Sequence, residues 1–255
     1  MKRLRYVLIS LLMVFCNGII LAKGFADETL HYVVSYKWGL IHKDAGEATL
    51  SLRNHGNEYS LLLTGKTNSW ADGFYMVRDT LKGRVTKQGL KPLSYTKIAH
   101  EKGKYSRDDI LYTHSGRVVG GEAKRTREQK DGTMKVTHKK LSGTGEVFDM
   151  LSAFYFLRTI DYSKLEKGEV VKATVFSGSK AETMTIRCTG IEEIKLRDKS
   201  KREAYHIKFK FTTEGKKKSS DDIDTWISTD SSHIPLLVVG SLPVGQVKCY
   251  YVGGK

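Results

Sequence analysis

The sequence predicts an all-β protein in which most strands are antiparallel. After Asp27, nearly every segment alternates apolar and polar residues with a period of two, as strands with one buried face do. Short turn-forming pairs of the kind that connect hairpin strands separate these segments, for example Lys102-Gly103, Ser115-Gly116 and Asp131-Gly132. A single segment, 149–158, has helical spacing instead. This pattern predicts a strongly curved sheet, a half-barrel or a sandwich, with one covering α-helix.

The second and third predicted strands are separated by Asn54-His55-Gly56-Asn57, residues that tolerate the positive φ of a tight turn. Lysine and arginine dominate the polar phase of many strands, and such charges keep sheet edges from pairing with other molecules. The alternation predicts strands over residues 31–36, 47–52, 59–63, 74–85, 93–100, 105–113, 117–126, 134–139, 170–176, 182–191, 204–212, 223–228, 236–239 and 244–252.

The helical segment begins at Asp149, a residue suited to cap a helix or to face the positive end of its dipole. Its apolar residues Leu151, Phe154, Tyr155 and Leu157 recur at helical spacing, and we expect the helix to end near residues 159–161. An aromatic helix in a β-protein buries its stripe by plugging a barrel mouth or covering a sheet. We expect one β-rich domain over 27–255, with a possible sub-domain junction near 159–168.

The N-terminal segment has the order of a secretory signal peptide, predicted over residues 1–26. Basic residues precede an apolar run over 6–22, and the small residues Ala22, Gly24 and Ala26 follow. Cleavage before Phe25 or before Asp27 fits, and we expect the latter because Asp27 begins a polar terminus. An uncleaved anchor is the alternative, whereas bulky Phe15 argues against lipid attachment at Cys16. The segment predicts a bacterial protein exported to the periplasm or outer envelope.

Loss of residues 1–26 removes four basic and no acidic residues, so the net charge falls from +15 to +11. A basic chain suits a solvated surface or an anionic partner, and export argues against nucleic acid. The remaining cysteines, Cys188 and Cys249, fall on the apolar phase of predicted strands. Both buried free thiols and a disulfide remain open.

No catalytic constellation is visible in the sequence. The eight histidines lack metal-ligand spacing, and there is no nucleophile elbow around a serine. We therefore expect neither an enzyme nor a metal or other cofactor. Two basic runs bracket one predicted strand and suit either solvated hairpin tips or contact with anionic headgroups or glycans. They consist of Lys195, Arg197, Lys199, Lys201 and Arg202, and of Lys216, Lys217 and Lys218.

Three blocks occur in a characteristic order and spacing. The first is Leu30–Gly39 running into Ala45–Leu50, the second is Asp149-x-Leu151-Ser152-x-x-Tyr155-x-Leu157-Arg158, and the third is Trp226-Ile227-Ser228-x-Asp230-x-x-x-Ile234-Pro235, ending in Pro243-x-Gly245-x-Val247. Together they resemble the bacterial domain-of-unknown-function family 3108, whose members are exported envelope proteins. The resemblance implies a β-rich periplasmic domain and supplies no catalytic residues.

The residues shared with the family suit structural roles. Gly46 and Gly245 fit turns or close backbone approaches, and Pro235 fits a strand start or edge. We expect Trp226 to anchor the core, and Asp149 with Ser152 to fix the start of the covering helix.

Two function hypotheses follow. In the first, an apolar groove holds a lipid or other hydrophobic ligand, and Phe154, Tyr155, Phe156 and Leu157 form part of its lid. In the second, the protein is a scaffold that contacts glycan or anionic lipid headgroups through Lys216, Lys217 and Lys218. The sequence leaves the ligand, the partner and the oligomeric state open.

Overall fold

The structure, a computed structural model, describes residues 24–165, 168–213, 222–242 and 244–254. Most of the predicted signal peptide and the three lysines Lys216, Lys217 and Lys218 lie outside these residues. The strands of the described part are β1 (Glu28–Trp38), β2 (Ile41–His55), β3 (Glu58–Thr67), β4 (Val77–Thr86), β5 (Pro92–Glu101), β6 (Lys104–Ser115), β7 (Val118–Glu128), β8 (Met134–Thr144), β9 (Val147–Phe148), β10 (Val170–Ser177), β11 (Lys180–Lys195), β12 (Lys201–Thr213), β13 (Ile223–Ser228), β14 (Pro235–Ser241) and β15 (Gln246–Gly254).

These strands form one sheet in the order β8-β7-β6-β5-β4-β3-β2-β1-β15-β14-β13-β12-β11-β10-β9. Strand β1 pairs with β2 and with β15, so the first and last described strands are neighbours. Every described pairing is antiparallel except the short parallel pair of β9 and β10. The prediction of a mainly antiparallel all-β protein is confirmed, and the curved single sheet is the form it takes.

The sheet curls into a nearly closed barrel. Its two edge strands, β8 and β9, follow one another in the chain, and β8 lies against β10 without pairing to it. A Cβ atom at Gly143 of β8 would lie 3.2 Å from Thr174 Cγ2 of β10. Glycine at this position therefore lets the two ends of the sheet approach closely.

Helix α2 (Met150–Leu157) begins where the sequence predicts. The Asp149 carboxylate accepts hydrogen bonds from the backbone N–H groups of Leu151 at 2.7 Å and Ser152 at 2.9 Å. The Ser152 hydroxyl in turn accepts the backbone N–H of Asp149 at 2.8 Å. This reciprocal capping box satisfies N–H groups that a helix start leaves free. A short 3-10 helix, Tyr162–Lys164, follows α2, and the strands on both sides of it belong to the same sheet.

The expectation of a single helix is wrong, because the described chain has a second one, α1 (Ser69–Tyr75). The alternating pattern assigns Phe74 to a strand, but in the structure that strand begins only at Val77. Asn68 caps α1 by accepting the N–H of Ala71 at 3.1 Å. A seven-residue helix that buries only Ala71 has no apolar stripe for a periodicity argument to detect.

The main core fills the barrel beneath α2, and a smaller apolar cluster lies outside it. The long hairpin of β11 and β12 curls over the outer face of β13, β14 and β15. There Leu236, Leu237 and Val239 pack with Ile194 and Ala204.

Candidate functional site

The barrel has two ends that differ in how well they are filled. We call the end that carries α2 and the β2–β3, β4–β5 and β6–β7 turns the closed end. We call the opposite end, which carries α1 and the β1–β2, β5–β6 and β14–β15 turns, the open end. Successive side chains of a strand point to opposite faces of the sheet. Every second residue therefore points into the barrel, and these inward residues can be followed along a strand from one end of the barrel to the other.

At the closed end the inward side chains are fully buried. Leu50, Leu52, Tyr59, Leu61 and Val85 are each no more than 2% exposed. Helix α2 covers them with Leu151, Tyr155 and Leu157, which are no more than 3% exposed.

A buried ion pair fastens α2 to β1. The Arg158 side chain, at the C-terminus of α2, is 2% exposed and pairs with Glu28 through both of its terminal nitrogens. It also donates to the Ser232 carbonyl at 3.1 and 3.2 Å. Its guanidinium lies 4.8 Å from the Phe25 ring and 5.3 Å from the Tyr155 ring. A buried arginine is stable only when its donors are satisfied in this way.

The four residues predicted to form a ligand lid lie at this closed end. Tyr155 is 0% and Leu157 3% exposed, within the main core. Phe154 and Phe156 are half-buried, and the Phe156 ring stacks on Phe148 at 4.5 Å. These side chains fill space that a ligand would need, so a ligand could enter beneath α2 only if the core opened.

At the open end the inward apolar side chains are only half-buried. Leu63 of β3 lies opposite Leu81 of β4, and further round the same inner face Val238 of β14 lies opposite Cys249 of β15. Phe209 of β12 continues the row. All five keep part of their surface accessible. Leu63, Leu81, Phe209 and Cys249 also pack against the main core.

Polar groups stand beside this apolar surface on β4 and β5. Lys97 Nζ lies 3.3 Å from Asp79 Oδ2 and 3.5 Å from Glu101 Oε1. The Tyr75 hydroxyl of α1 donates to Glu101 Oε2 at 2.8 Å. Asp79 Oδ1 is buried and accepts no hydrogen bond from the described residues. Burial raises the pKa of Asp79, and nearby Glu101 adds to the rise although Lys97 opposes it.

A charged network closes the seam between β7 and the β10–β11 turn. Arg125 Nε donates to Asp108 Oδ1 at 3.0 Å and Arg125 Nη1 to Ser179 Oγ at 2.8 Å. Arg127 Nη2 donates to Asp108 Oδ2 at 2.7 Å. Side chains thus join parts of the sheet whose backbones are not paired.

Two depressions lie on the outer face of the sheet. One, of about 370 Å³, is bordered by polar side chains of β2, β3 and β4, among them Glu47, Lys66 and Arg78. The other, of about 690 Å³, lies beside Asp27, His31 and Arg53. Neither combines the apolar walls and few polar groups typical of a small-molecule site.

Comparisons with known proteins agree with this architecture. The model of DUF3108, a family of proteins of unknown function, matches residues 31–251. The chain belongs to the DUF3108 family. The resemblance noted in the sequence is thereby confirmed. The crystal structure of a beta-barrel-like protein of domain of unknown function DUF1849 from Brucella abortus is similar, with a TM-score of 0.61 and 10% identity. The match covers 91% of this chain and 98% of that one, and at such low identity it shows the fold alone. No curated protein matches the chain in sequence.

The other residues singled out in this DUF3108 chain lie apart from the open end's inner face. Trp226 faces outward, stacks on His206 at 4.5 Å and donates to Glu192 Oε2 at 2.9 Å. It packs against the outer cluster, not the main core. Pro235 is the buried first residue of β14.

Two glycines permit close backbone approaches. Gly245 has φ +81°, and a Cβ there would lie 2.4 Å from the Lys37 carbonyl oxygen. At Gly46 a Cβ would lie 2.3 Å from the Lys66 carbonyl oxygen.

Salt bridges partly neutralise the first basic run, over residues 195–202. Arg197 pairs with Asp44 at 2.6 Å and Lys201 with Glu193 at 2.6 Å. Neither Lys216, Lys217 and Lys218 nor Pro243 belongs to the described residues.

Within the described ranges no group of three or more histidine, cysteine or acidic residues is placed to hold a metal ion. Cys188 and Cys249 are free thiols in the structure. Burial raises the pKa of Cys249 to about 11, so this thiol is protonated at neutral pH. None of the helices in the described chain has both the length and the hydropathy to span a bilayer.

Sequence reasoning missed the open end. The local signal was aromatic. Trp38, Trp70, Phe74 and Tyr75 suit either an apolar pocket or a core, and the alternation assigned Phe74 and Tyr75 to a strand.

Proposed function

We propose that this DUF3108 protein is an exported envelope protein that binds an amphipathic ligand at the open end without chemically changing it. The ligand would have an extended apolar part, such as an acyl chain, and a small polar head. The N-terminal segment supports export, since it has the order of a signal peptide.

One observation carries the proposal. Side chains of the same inward register are buried at the closed end and half-buried at the open end. Leu63, Leu81, Val238 and Phe209 therefore hold accessible apolar surface inside a curved sheet. Covering that surface with an apolar ligand removes it from water, at roughly 25 cal/mol per Å².

The polar groups beside this surface suit a ligand's head. Asp79 has a buried oxygen that can still accept a hydrogen bond, and Lys97 can donate to an anionic or carbonyl oxygen. Few polar groups next to a mainly apolar wall are typical of sites that orient an apolar molecule.

We assign no catalytic step to the open end. Asp79, Lys97 and Glu101 form an ion-paired set, and the proposal gives them a part in binding alone.

The first experiment is native mass spectrometry of the protein purified from the bacterial envelope. We expect a co-purified lipid, and binding of the apolar dye N-phenyl-1-naphthylamine that this lipid displaces. If neither lipid nor dye binds, the proposal is wrong.

Blocking variants locate the site. Leu81→Trp and Val238→Trp add bulk to the accessible inner surface, so we expect dye binding to fall about tenfold or more, as expected when an apolar pocket is filled. Leu111→Trp is the matched control, because Leu111 is exposed on the outer face of β6. Equal dye binding by all three variants would place the ligand elsewhere. Thermal unfolding of each variant shows that the fold is retained.

A further inference from the structure

The turns at the open end carry a ring of exposed apolar side chains. Leu40 is 104% exposed, Phe74 77% and Trp38 55%. Tyr75, Leu242 and Val244 are also exposed. We call these six residues the apolar rim. Soluble monomers commonly expose single apolar side chains but rarely a group of them together, so their concentration at one end indicates a binding surface.

Direct contacts join the three parts of the rim. The Tyr36 hydroxyl of β1 donates to the Val244 carbonyl at 2.9 Å, which holds the β14–β15 turn beside the β1–β2 turn. The Asn68 N–H donates to the Ala45 carbonyl at 2.9 Å, and the Asn68 side chain donates to the Asp44 carbonyl at 2.7 Å. These bonds hold α1 against β2. The rim is therefore one surface with fixed geometry.

Cations stand among the rim aromatics. Lys102 Nζ lies 4.8 Å from the ring centre of Tyr75. Lys43 Nζ lies 4.9 Å from the ring centre of Trp70, whose ring in turn lies 5.6 Å from that of the rim residue Phe74. Neither lysine, nor Lys37, has a carboxylate partner among the described residues. They leave positive charge available on the same surface.

The acidic groups next to the rim are neutralised. Asp44 pairs with Arg197 at 2.6 Å, and Asp72 pairs with Arg78 at 2.6 Å. Glu101 accepts from Tyr75 and lies near Lys97. The surface thus combines projecting aromatic and aliphatic tips with unpaired lysines.

We propose that the apolar rim docks onto the surface of a lipid bilayer that contains anionic lipids. Trp, Tyr and Phe side chains are favoured at the headgroup level, and lysines beside them reach anionic phosphates. The charge complementarity selects this partner, because unpaired lysines around apolar tips match an anionic surface over apolar chains. The rim could dock whether or not the barrel holds a ligand, so the inference goes beyond the proposed function.

Vesicle flotation with the full chain, as cells export and process it, tests the proposal. We expect binding to vesicles of phosphatidylethanolamine and phosphatidylglycerol, weaker binding to phosphatidylcholine vesicles, and further weakening in about 0.5 M NaCl because salt screens the lysines. The rim variant combines Trp38→Ser, Leu40→Ser and Phe74→Ser, and we expect it to bind about tenfold or more weakly, from the apolar surface it loses.

The matched control removes exposed apolar side chains elsewhere. Leu111→Ser, Ile191→Ser and Val136→Ser change residues that are also exposed but lie outside the rim. We expect these to leave vesicle binding unchanged. If the rim variant floats as well as the wild type, or the control loses as much binding, the rim does not dock.

The chain's three tryptophans provide a depth measurement that a general hydrophobic effect would not reproduce. A chain that keeps only Trp38 (Trp70→Phe, Trp226→Phe) should be quenched by brominated lipids, whereas one that keeps only Trp226 (Trp38→Phe, Trp70→Phe) should not. Equal quenching of both would overturn the proposal.

A second copy of the chain is the competing occupant. A dimer that the rim variant abolishes, seen by analytical ultracentrifugation together with absent vesicle binding, would assign the rim to self-association and overturn membrane docking. The dye-binding variants at Leu81 and Val238 leave the rim intact. Dye binding therefore tests the ligand proposal and flotation tests membrane docking, so the failure of one can be told apart from the failure of the other.

Discussion

The closed and open ends of the barrel are built from the same strands and differ in what crosses them. At the closed end, α2 inserts Leu151, Tyr155 and Leu157 into the lumen and the inward residues beneath it are buried. At the open end, α1 buries only Ala71 and leaves Phe74 and Tyr75 exposed. The covering helix, not the sheet, therefore decides which end is a core and which end offers a surface.

We expect the largest difference between the two ends when one aromatic side chain at each end is replaced by alanine and the loss in the free energy of unfolding is compared. We expect Tyr155→Ala to lower the free energy of unfolding by about 3–5 kcal/mol, because it leaves a cavity in the core. Phe74→Ala should change it by no more than about 0.5 kcal/mol, as exposed substitutions do. Urea denaturation followed by circular dichroism measures both. Equal losses would show that α1 supports the fold as α2 does.

Arginine–carboxylate pairs give the next test. Arg158→Ala should lower the free energy of unfolding by about 3 kcal/mol, because it leaves Glu28 without its partner in a mostly buried position. Arg78→Ala removes the exposed pair with Asp72 at the open end and should leave the urea midpoint near that of the wild type. A large loss for Arg78→Ala would contradict the contrast between the two ends.

Asp149 gives the closed end a pH dependence. Burial, opposed by hydrogen bonds from Ser152 and Leu151, raises the pKa of Asp149 from 3.8 to about 6. The folded state therefore binds this proton more tightly than the unfolded chain. Binding of this proton stabilises the fold fully below about pH 4. As the pH rises to about 6 this stabilisation is lost, and the free energy of unfolding falls by up to about 3 kcal/mol.

Asp149→Asn keeps an oxygen that can cap α2 but cannot titrate. We therefore expect the difference in the free energy of unfolding between the wild type and this variant to change with pH only between about pH 4 and pH 6. Urea denaturation between about pH 4 and pH 7 measures it. Asp79→Asn is the comparison at the open end, where the carboxyl is 15% exposed and Lys97 opposes the rise in its pKa, so we expect a smaller slope. A flat difference for Asp149→Asn would contradict the buried carboxyl.

The smallest effect concerns Phe25, which completes the closed end. Its ring lies 5.2 Å from the Tyr155 ring, and its N–H donates to the Tyr59 hydroxyl at 2.9 Å. We expect Phe25→Ala to cost about 1–2 kcal/mol of stability. Under the proposed export, these contacts favour cleavage before Phe25 over the cut before Asp27 expected from the polar terminus. The intact mass of the chain purified from the envelope tests this prediction, and a chain beginning at Asp27 would contradict it.

Much of the fold could be predicted because its signals are local. Alternation placed most strands within a few residues, and Asp149 with Ser152 marked the start of α2. Helix α1 escaped because its seven residues bury one side chain. The ligand role predicted for Phe154, Tyr155, Phe156 and Leu157 rested on their aromatic character, which suits a core as well as a groove. Only their packing tells the two apart.

Residues a few positions apart were enough to predict the all-β class, the turns, the start of α2 and the signal-like order of the N-terminus. The barrel, in contrast, depends on contacts between distant segments. The pairing of β1 with β15, the contact of Arg158 with Glu28 and the junction of three turns into one rim join residues far apart in the chain. No periodicity records such contacts, since they form only when the whole sheet curls and one helix closes one of its ends.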